Sequence, residues 1–156
     1  MGVLTLERTT RATPEQLWQV VTDWSGYARW MPLTTMRLDD GPTRVGWSFA
    51  GRSGVGPLRF ADVMVITSWE PPREGRARFR LRKIGRLLDG WADVSVEPGA
   101  GGTGAALHWT EELVLRPSAL GRRLARAADP VNRWMFGRAV DAMVAEAEAL
   151  AVSRPE

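Results

Sequence analysis

Two charged residues that lie on otherwise apolar strand faces are the first candidates for chemistry in this sequence. Arg8 alternates onto the same face as Leu4 and Leu6, and Glu111 falls on the same face as Trp109. If these faces point inward, both charges are buried, and an isolated buried charge is costly unless it is paired. If either strand is bulged or lies at an exposed edge, the same side chain simply reaches water.

The only histidine, His108, is the obvious candidate for a general base. Histidine is the side chain that ordinarily changes charge near neutral pH, so it suits proton transfer. However, His108 alternates with Trp109, and if Trp109 faces an interior, His108 faces solvent. We therefore favour an exposed or structural histidine over a catalytic one.

A helix with a clear start signal follows the first strand. Thr13 is a good N-cap, Pro14 suits the first helical position, and Leu17 and Trp18 belong to an apolar stripe at helical spacing. A second short helix follows this one and carries Tyr27 and Trp30, and Pro32 ends it. The region thus predicts two consecutive short helices.

Alternating apolar positions predict strands through most of the remaining chain. The predicted strands are 3–10, 34–39, 44–51, 58–69, 76–82, 86–97 and 105–116. Segment 52–57 contains two glycines and a proline, so it predicts a flexible hairpin loop. A helical segment begins near 119, is interrupted or kinked at 129–130, and continues to about 151.

Composition excludes several classes of site. The 156 residues form one predicted domain spanning 1–156, with no cysteine and a single histidine. Disulfides, thiolate nucleophiles and cysteine or histidine metal clusters are therefore excluded, and we expect no metal and no cofactor. The absence of an apolar stretch long enough to span a membrane and of a signal-peptide pattern predicts a cytoplasmic protein.

The charge and aromatic content narrow the choice of partner. The net charge is +3 and nearly all basic residues are arginine, but they are interspersed with acidic residues and form no compact motif. This distribution favours a solvated surface over nucleic-acid binding. The 8 tryptophans suit a core or cavity lined by large flat side chains whose N–H groups need partners.

The segment after the first strand resembles the opening of the START-like superfamily, which includes Bet v 1-type allergens and the polyketide cyclase/dehydrase family. The matching residues are Pro14, Glu15, Trp18, Asp23, Tyr27, Trp30 and Pro32. The order of the remaining elements agrees along essentially the whole chain. The resemblance implies an α+β helix-grip fold, in which a curved antiparallel sheet of about six to seven strands surrounds a long C-terminal helix.

The resemblance also implies a set of site residues, because members of the superfamily keep an elongated apolar cavity between sheet and helix. The first and last strands are neighbours in that fold, so Arg8 and Glu111 form a predicted internal ion pair that meets the polar end of a ligand. Tyr27 either donates a hydrogen bond to a ligand carbonyl at the cavity mouth or is simply a packing residue. The predicted ligand-contacting residues are Arg8, Tyr27, Trp30, Trp47, Phe79, Trp109, Glu111, Phe136 and Val140.

Two functions are compatible with such a cavity. The favoured one is binding of a small, largely hydrophobic lipid, polyketide or aromatic metabolite by a monomer or homodimer, without nucleic acid and without stable membrane insertion. The alternative is a polyketide aromatase/cyclase that catalyses aldol cyclisation and dehydration. In that case Arg8 or Tyr27 polarises a carbonyl group, and Glu111 moves a proton.

Overall fold

The structure consists of strands, a pair of short helices and one long helix. It is a computed structural model that describes residues 3–116 and 118–153, without the side chains of 118–122, 124, 125 and 128. The strands are β1 (Val3–Thr10), β2 (Thr34–Leu38), β3 (Ser48–Val55), β4 (Leu58–Arg73), β5 (Arg76–Ile84), β6 (Leu88–Pro98) and β7 (Ala105–Leu115). The helices are α1 (Pro14–Val21), α2 (Tyr27–Trp30) and α3 (Ser118–Val152), with 3-10 turns at Trp24–Gly26 and Ala100–Gly102.

All seven strands form one antiparallel sheet in the order β1-β7-β6-β5-β4-β3-β2. Helix α3 packs against β1, β7, α1 and α2, so one face of the sheet is covered. The predicted helix-grip fold, with two short helices after the first strand and a long C-terminal helix, is confirmed.

Helix α1 begins as the sequence predicts. The hydroxyl of Thr13 accepts a hydrogen bond from the backbone N–H of Gln16, and the Gln16 side chain accepts one from the backbone N–H of Thr13. This reciprocal pair is a capping box, and Pro14 follows it at the first helical position. The buried face of the helix includes Leu17 and Trp18, which fixes α1 against the sheet.

Inward-facing aromatic side chains fill one part of the space between the sheet and the helices. Trp24 packs against Phe49 and Phe79, with ring centroids 4.6 and 5.1 Å apart. Trp18 packs against Phe79 and Trp69 at 5.8 and 5.0 Å. These contacts account for much of the aromatic content and form a solid core there.

The region from β3 to β4 differs from the prediction. Strand β3 runs to Val55, four residues beyond its predicted end at 51. Strand β4 runs to Arg73, four residues beyond its predicted end at 69, with two shifts of register against β5. The segment predicted as a flexible loop is a tight hairpin, in which Gly54 donates its N–H to the carbonyl of Leu33. Gly54 has a φ of +114°, and a Cβ there would overlap the carbonyl oxygen of Leu58, so this position requires glycine.

Helix α3 also differs from the prediction. It is continuous through Pro130, so the predicted interruption at 129–130 is wrong, while the predicted kink there stays a prediction. Within the described residues, no helix is both long and apolar enough to cross a membrane.

Candidate functional site

A cavity of about 430 Å3 lies between the sheet and α3. Its described walls come from β2–β7, the 3-10 turn at Trp24–Gly26, α2 and α3, and they are mainly apolar. Methionines are prominent among them: Met31, Met36, Met64, Met135 and Met143. This volume falls within the ordinary range for a small-molecule pocket.

Small residues lie opposite the inward-pointing charged side chains on the central strands. Gly51 lies opposite Asp62 across the β3–β4 pair, and Ala92 lies opposite Glu111 across the β6–β7 pair. Both small residues line the cavity, so they leave space beside these charges. Gly90 lies opposite Lys83 but does not line the cavity, and its φ of +139° requires glycine there.

Those three charged side chains form a cluster in the cavity wall, which we call the acid–lysine cluster: Asp62, Lys83 and Glu111. The Nζ of Lys83 donates a hydrogen bond to Oδ2 of Asp62 at 2.6 Å and lies 3.4 Å from Oε1 of Glu111. The exposed fractions of the Lys83 and Glu111 side chains are only 5% and 3%. Such burial is rare for charged side chains unless they are paired, as these are.

Lys83 lies on the inward face of β5, in alternation with Phe79 and Leu81. Because cross-strand diagonal neighbours lie within reach of a long side chain, its ammonium reaches Asp62 on β4 although Met64 is its direct partner. Burial alone would lower the pKa of Lys83, but the carboxylates of Glu111 and Asp62 outweigh burial and raise the pKa above its ordinary value. Lys83 is therefore a cation at neutral pH.

Two carboxylate oxygens in the cluster have no hydrogen-bond partner in the described part of the chain. They are Oδ1 of Asp62 and Oε1 of Glu111, and both are buried. The other oxygen of Glu111 accepts a hydrogen bond from the indole N–H of Trp109 at 3.0 Å. A buried oxygen without a partner is costly, so each of these atoms is a position where a ligand can donate a hydrogen bond.

The predicted ion pair between Arg8 and Glu111 is wrong. Arg8 lies opposite Leu107 in the β1–β7 register, and Glu111 lies opposite Leu4. A separation of four residues along a strand is roughly 13 Å, which is too far for a salt bridge. Arg8 instead pairs with Asp141 of α3, at 2.7 Å from Nε to Oδ1, and lies outside the cavity wall.

Tyr27 lines the cavity, but its hydroxyl already donates to the backbone carbonyl of Val21 at 2.9 Å. Burial, with repulsion from Glu111 as a smaller cause, raises the pKa of Tyr27 well above its ordinary value. Its ring therefore contributes to the wall, while its hydroxyl serves the local fold.

Several other predicted ligand contacts can now be placed. Trp109, Glu111, Phe136 and Val140 line the cavity with Tyr27. Trp30, Trp47 and Phe79 do not line it. Phe79 and Trp47 are buried in the aromatic core, and Trp30 is half-buried and packs against Tyr27.

His108 faces away from the cavity, as the alternation predicted. Its half-exposed ring lies between Glu97, at 3.0 Å from Nε2 to Oε1, and Glu7, at 3.4 Å from Nδ1 to Oε1. Among the described residues, no cluster of three or more acidic or histidine side chains is arranged to hold a metal ion.

Sequence reasoning missed Asp62 and Lys83. Lys83 is the only lysine in the chain, and it continues the inward alternation of β5 beyond Leu81. Asp62 likewise falls on the same face of β4 as Met64. The predicted strand ended at 82, one residue before Lys83, whereas β5 runs to Ile84, so the sequence did not place Lys83 on the inward face.

Comparison with known proteins agrees with this architecture. The model of the family described as "Polyketide cyclase / dehydrase and lipid transport" matches residues 1–148. The chain belongs to that family. No curated protein matches the sequence.

Solved structures of similar fold come from proteins of different kinds. The aromatase/cyclase Zhui from Streptomyces sp. R1128 has a TM-score of 0.70 at 14% identity, over 94% of this chain and 93% of that chain. A START superfamily protein from Mycobacterium smegmatis has a TM-score of 0.64 at 13% identity, over 92% of this chain and 97% of that one. The Bet v 1 allergen Ara h 8.0201 has a TM-score of 0.57 at 13% identity, over 92% and 99% of the two chains. At such low identities the likeness establishes the fold alone.

Proposed function

We propose that the protein binds a small, largely apolar molecule in the cavity, with the polar end of that molecule at the acid–lysine cluster. The observation that supports this most directly is the position of Asp62, Lys83 and Glu111 in a mainly apolar wall, with Lys83 and Glu111 almost fully buried. Since replacing a buried ion pair by apolar residues of similar volume is often neutral or stabilising, stability alone does not explain this cluster. Ligand recognition does, because a pocket needs a few convergent polar groups for orientation.

The walls fit this function. Methionine side chains adapt to irregular shapes, and Trp109 and Phe136 offer flat apolar surfaces to a ligand. The family description, which includes both cyclase/dehydrase activity and lipid transport, is compatible with such a ligand.

Native mass spectrometry of the purified protein, followed by extraction of any bound small molecule, tests this proposal. We expect an apolar molecule that stays bound to the wild-type protein and is reduced in Glu111→Gln. The matched control is Glu112→Gln, since Glu112 is the next residue of β7 and bonds Trp91 outside the cavity. Equal retention by both variants would argue against the cluster as the anchor.

A second candidate is a polyketide aromatase/cyclase, which the pairing of a buried ammonium with two carboxylates favours. In this mechanism Lys83, and not Arg8 or Tyr27, polarises the carbonyl group, because Lys83 presents a cation to the cavity. In an aldol step, Glu111 takes a proton from the carbon next to one carbonyl. The resulting enolate attacks a second carbonyl carbon, and the Lys83 ammonium stabilises the new alkoxide until the proton held by Glu111 is transferred to it.

Incubation with a poly-β-ketone separates the two candidates. An enzyme forms a cyclised product that Glu111→Gln fails to make although it still binds the substrate, whereas a carrier leaves its ligand unchanged. The following points stay predictions: the cytoplasmic location, the single-domain organisation, the monomeric or homodimeric state, and the absence of nucleic acid and cofactors.

A further inference from the structure

The acid–lysine cluster has more acceptors than donors. Asp62 and Glu111 together carry four carboxylate oxygens, each with about two lone pairs, whereas Lys83 supplies three N–H donors and Trp109 one. One of these donors bonds Oδ2 of Asp62, and the Nζ also lies 3.8 Å from the sulfur of Met64. Oε1 of Glu111 is 3.4 Å from the Nζ but receives no hydrogen bond.

The neighbouring polar groups do not correct this imbalance. Asn132 of α3 also lines the cavity, but neither oxygen accepts a hydrogen bond from it. The hydroxyls of Thr34 and Ser53 also line the cavity, but they are 2.7 Å apart and bond each other. The indole N–H of Trp109 is already donated to Oε2 of Glu111. Oδ1 of Asp62 and Oε1 of Glu111 thus remain as buried acceptors beside an open volume.

We infer that the ligand carries a neutral hydroxyl group, as an alcohol or phenol, that donates its one hydrogen bond to an unpartnered carboxylate oxygen of Asp62 or Glu111. This inference rests on the proposed function. A ligand carboxylate has no proton to donate, and it faces two acidic side chains for one ammonium group. A ketone has no donor and leaves both oxygens unpaired, which a buried site tolerates poorly.

The hydroxyl also fits the surrounding wall better than a charged group would. A neutral donor enters an apolar cavity without the desolvation cost of an additional ion. The methionine and aromatic side chains around the cluster offer that additional ion no counter-charge. The rest of the ligand is held by apolar contact, so the hydroxyl sets its orientation.

A matched series of small ligands tests the inference: octan-2-ol, octan-2-one and octanoate, each used to displace pyrene from the full chain at neutral pH. Pyrene has no polar end, so its binding reports the cavity independently of the cluster. We expect octan-2-ol to bind about tenfold more tightly than octan-2-one, and octanoate to bind most weakly. Equal affinities, a preference for the ketone or the acid, or pyrene binding without displacement by any member would overturn the inference and leave the cavity as a binding site.

Variants identify the atoms responsible. Glu111→Gln replaces an acceptor by an amide that can donate, so the preference for the alcohol over the ketone should shrink or reverse. Asp62→Asn, at a side chain with 17% exposure, offers the same test with less risk to folding. Glu112→Gln should leave the preference unchanged. If neither pyrene nor any member of the series binds the wild-type protein, the proposed function fails as well.

Discussion

Replacing Lys83 by methionine removes the only cation from the acid–lysine cluster while keeping a long apolar side chain. At an effective dielectric constant of about 20, separations of 2.6 and 3.4 Å correspond to attractions of roughly 6 and 5 kcal/mol. The desolvation of the three groups offsets most of this in the native protein. Removal of Lys83 alone abolishes the attraction but leaves both carboxylates in place.

The two carboxylates differ in how easily water can reach them once Lys83 is removed. The Asp62 side chain is 17% exposed and can regain water through the cavity, whereas the Glu111 side chain is 3% exposed. We therefore expect Lys83→Met to lower the free energy of unfolding by about 3–5 kcal/mol at neutral pH. Urea unfolding followed by tryptophan fluorescence and by circular dichroism measures this change.

Arg80→Met is the matched control, because Arg80 points to the opposite face of β5 and its exposed side chain pairs with Asp93. It should cost less than about 1 kcal/mol. Adding Asp62→Asn and Glu111→Gln to Lys83→Met should restore much of the lost stability, since no uncompensated charge then remains. The reasoning is refuted if Lys83→Met costs no more than Arg80→Met, or if neutralising the carboxylates restores nothing.

Three further predictions concern alkaline pH, the core and the sheet edge. Because the pKa of Lys83 is raised in the folded protein, its contribution to stability is fully present below the ordinary value of 10.5 and is lost as pH rises through the higher folded-state pKa. The raised pKa of Tyr27 also lowers stability as pH rises above 10.0. The urea concentration at the unfolding midpoint should therefore be lower at about pH 11 than at about pH 9, and this difference should be smaller in Lys83→Met. Phe79→Ala should lower the free energy of unfolding by about 3–5 kcal/mol, because Phe79 is fully buried, and a smaller loss would contradict the aromatic core described above. Arg8→Met should cost under about 1 kcal/mol and leave ligand binding unchanged, as its bond to Asp141 is largely exposed; weakened binding would return Arg8 to the site.

Local signals were sufficient to predict most of the fold. The capping residues around Thr13 and the alternation in β5 each report a physical requirement that acts within a few residues. The prediction failed where tertiary contacts determine the local conformation. Gly54 and the following turn suggested a flexible loop, yet pairing with β4 makes that segment a tight hairpin.

The site was predicted less well because it depends on register. Glu111 was identified from its position on an apolar face, and that part of the hypothesis places it correctly in the cavity wall. The cation that pairs with Glu111 was not identified, because knowing that two strands are neighbours does not specify which of their residues lie opposite each other. The β1–β7 register puts Arg8 out of reach, and the cation comes from Lys83 two strands away.

The inner face of the sheet is thus divided between two kinds of surface, and the division bears on specificity. Phe79 packs against Trp18 and Trp24, and both Phe79 and Trp18 lie outside the cavity wall. The cavity wall contains methionines, whose flexible side chains conform to different shapes. Shape therefore selects weakly among apolar ligands, and the fixed polar atoms of Asp62 and Glu111 must supply most of the discrimination.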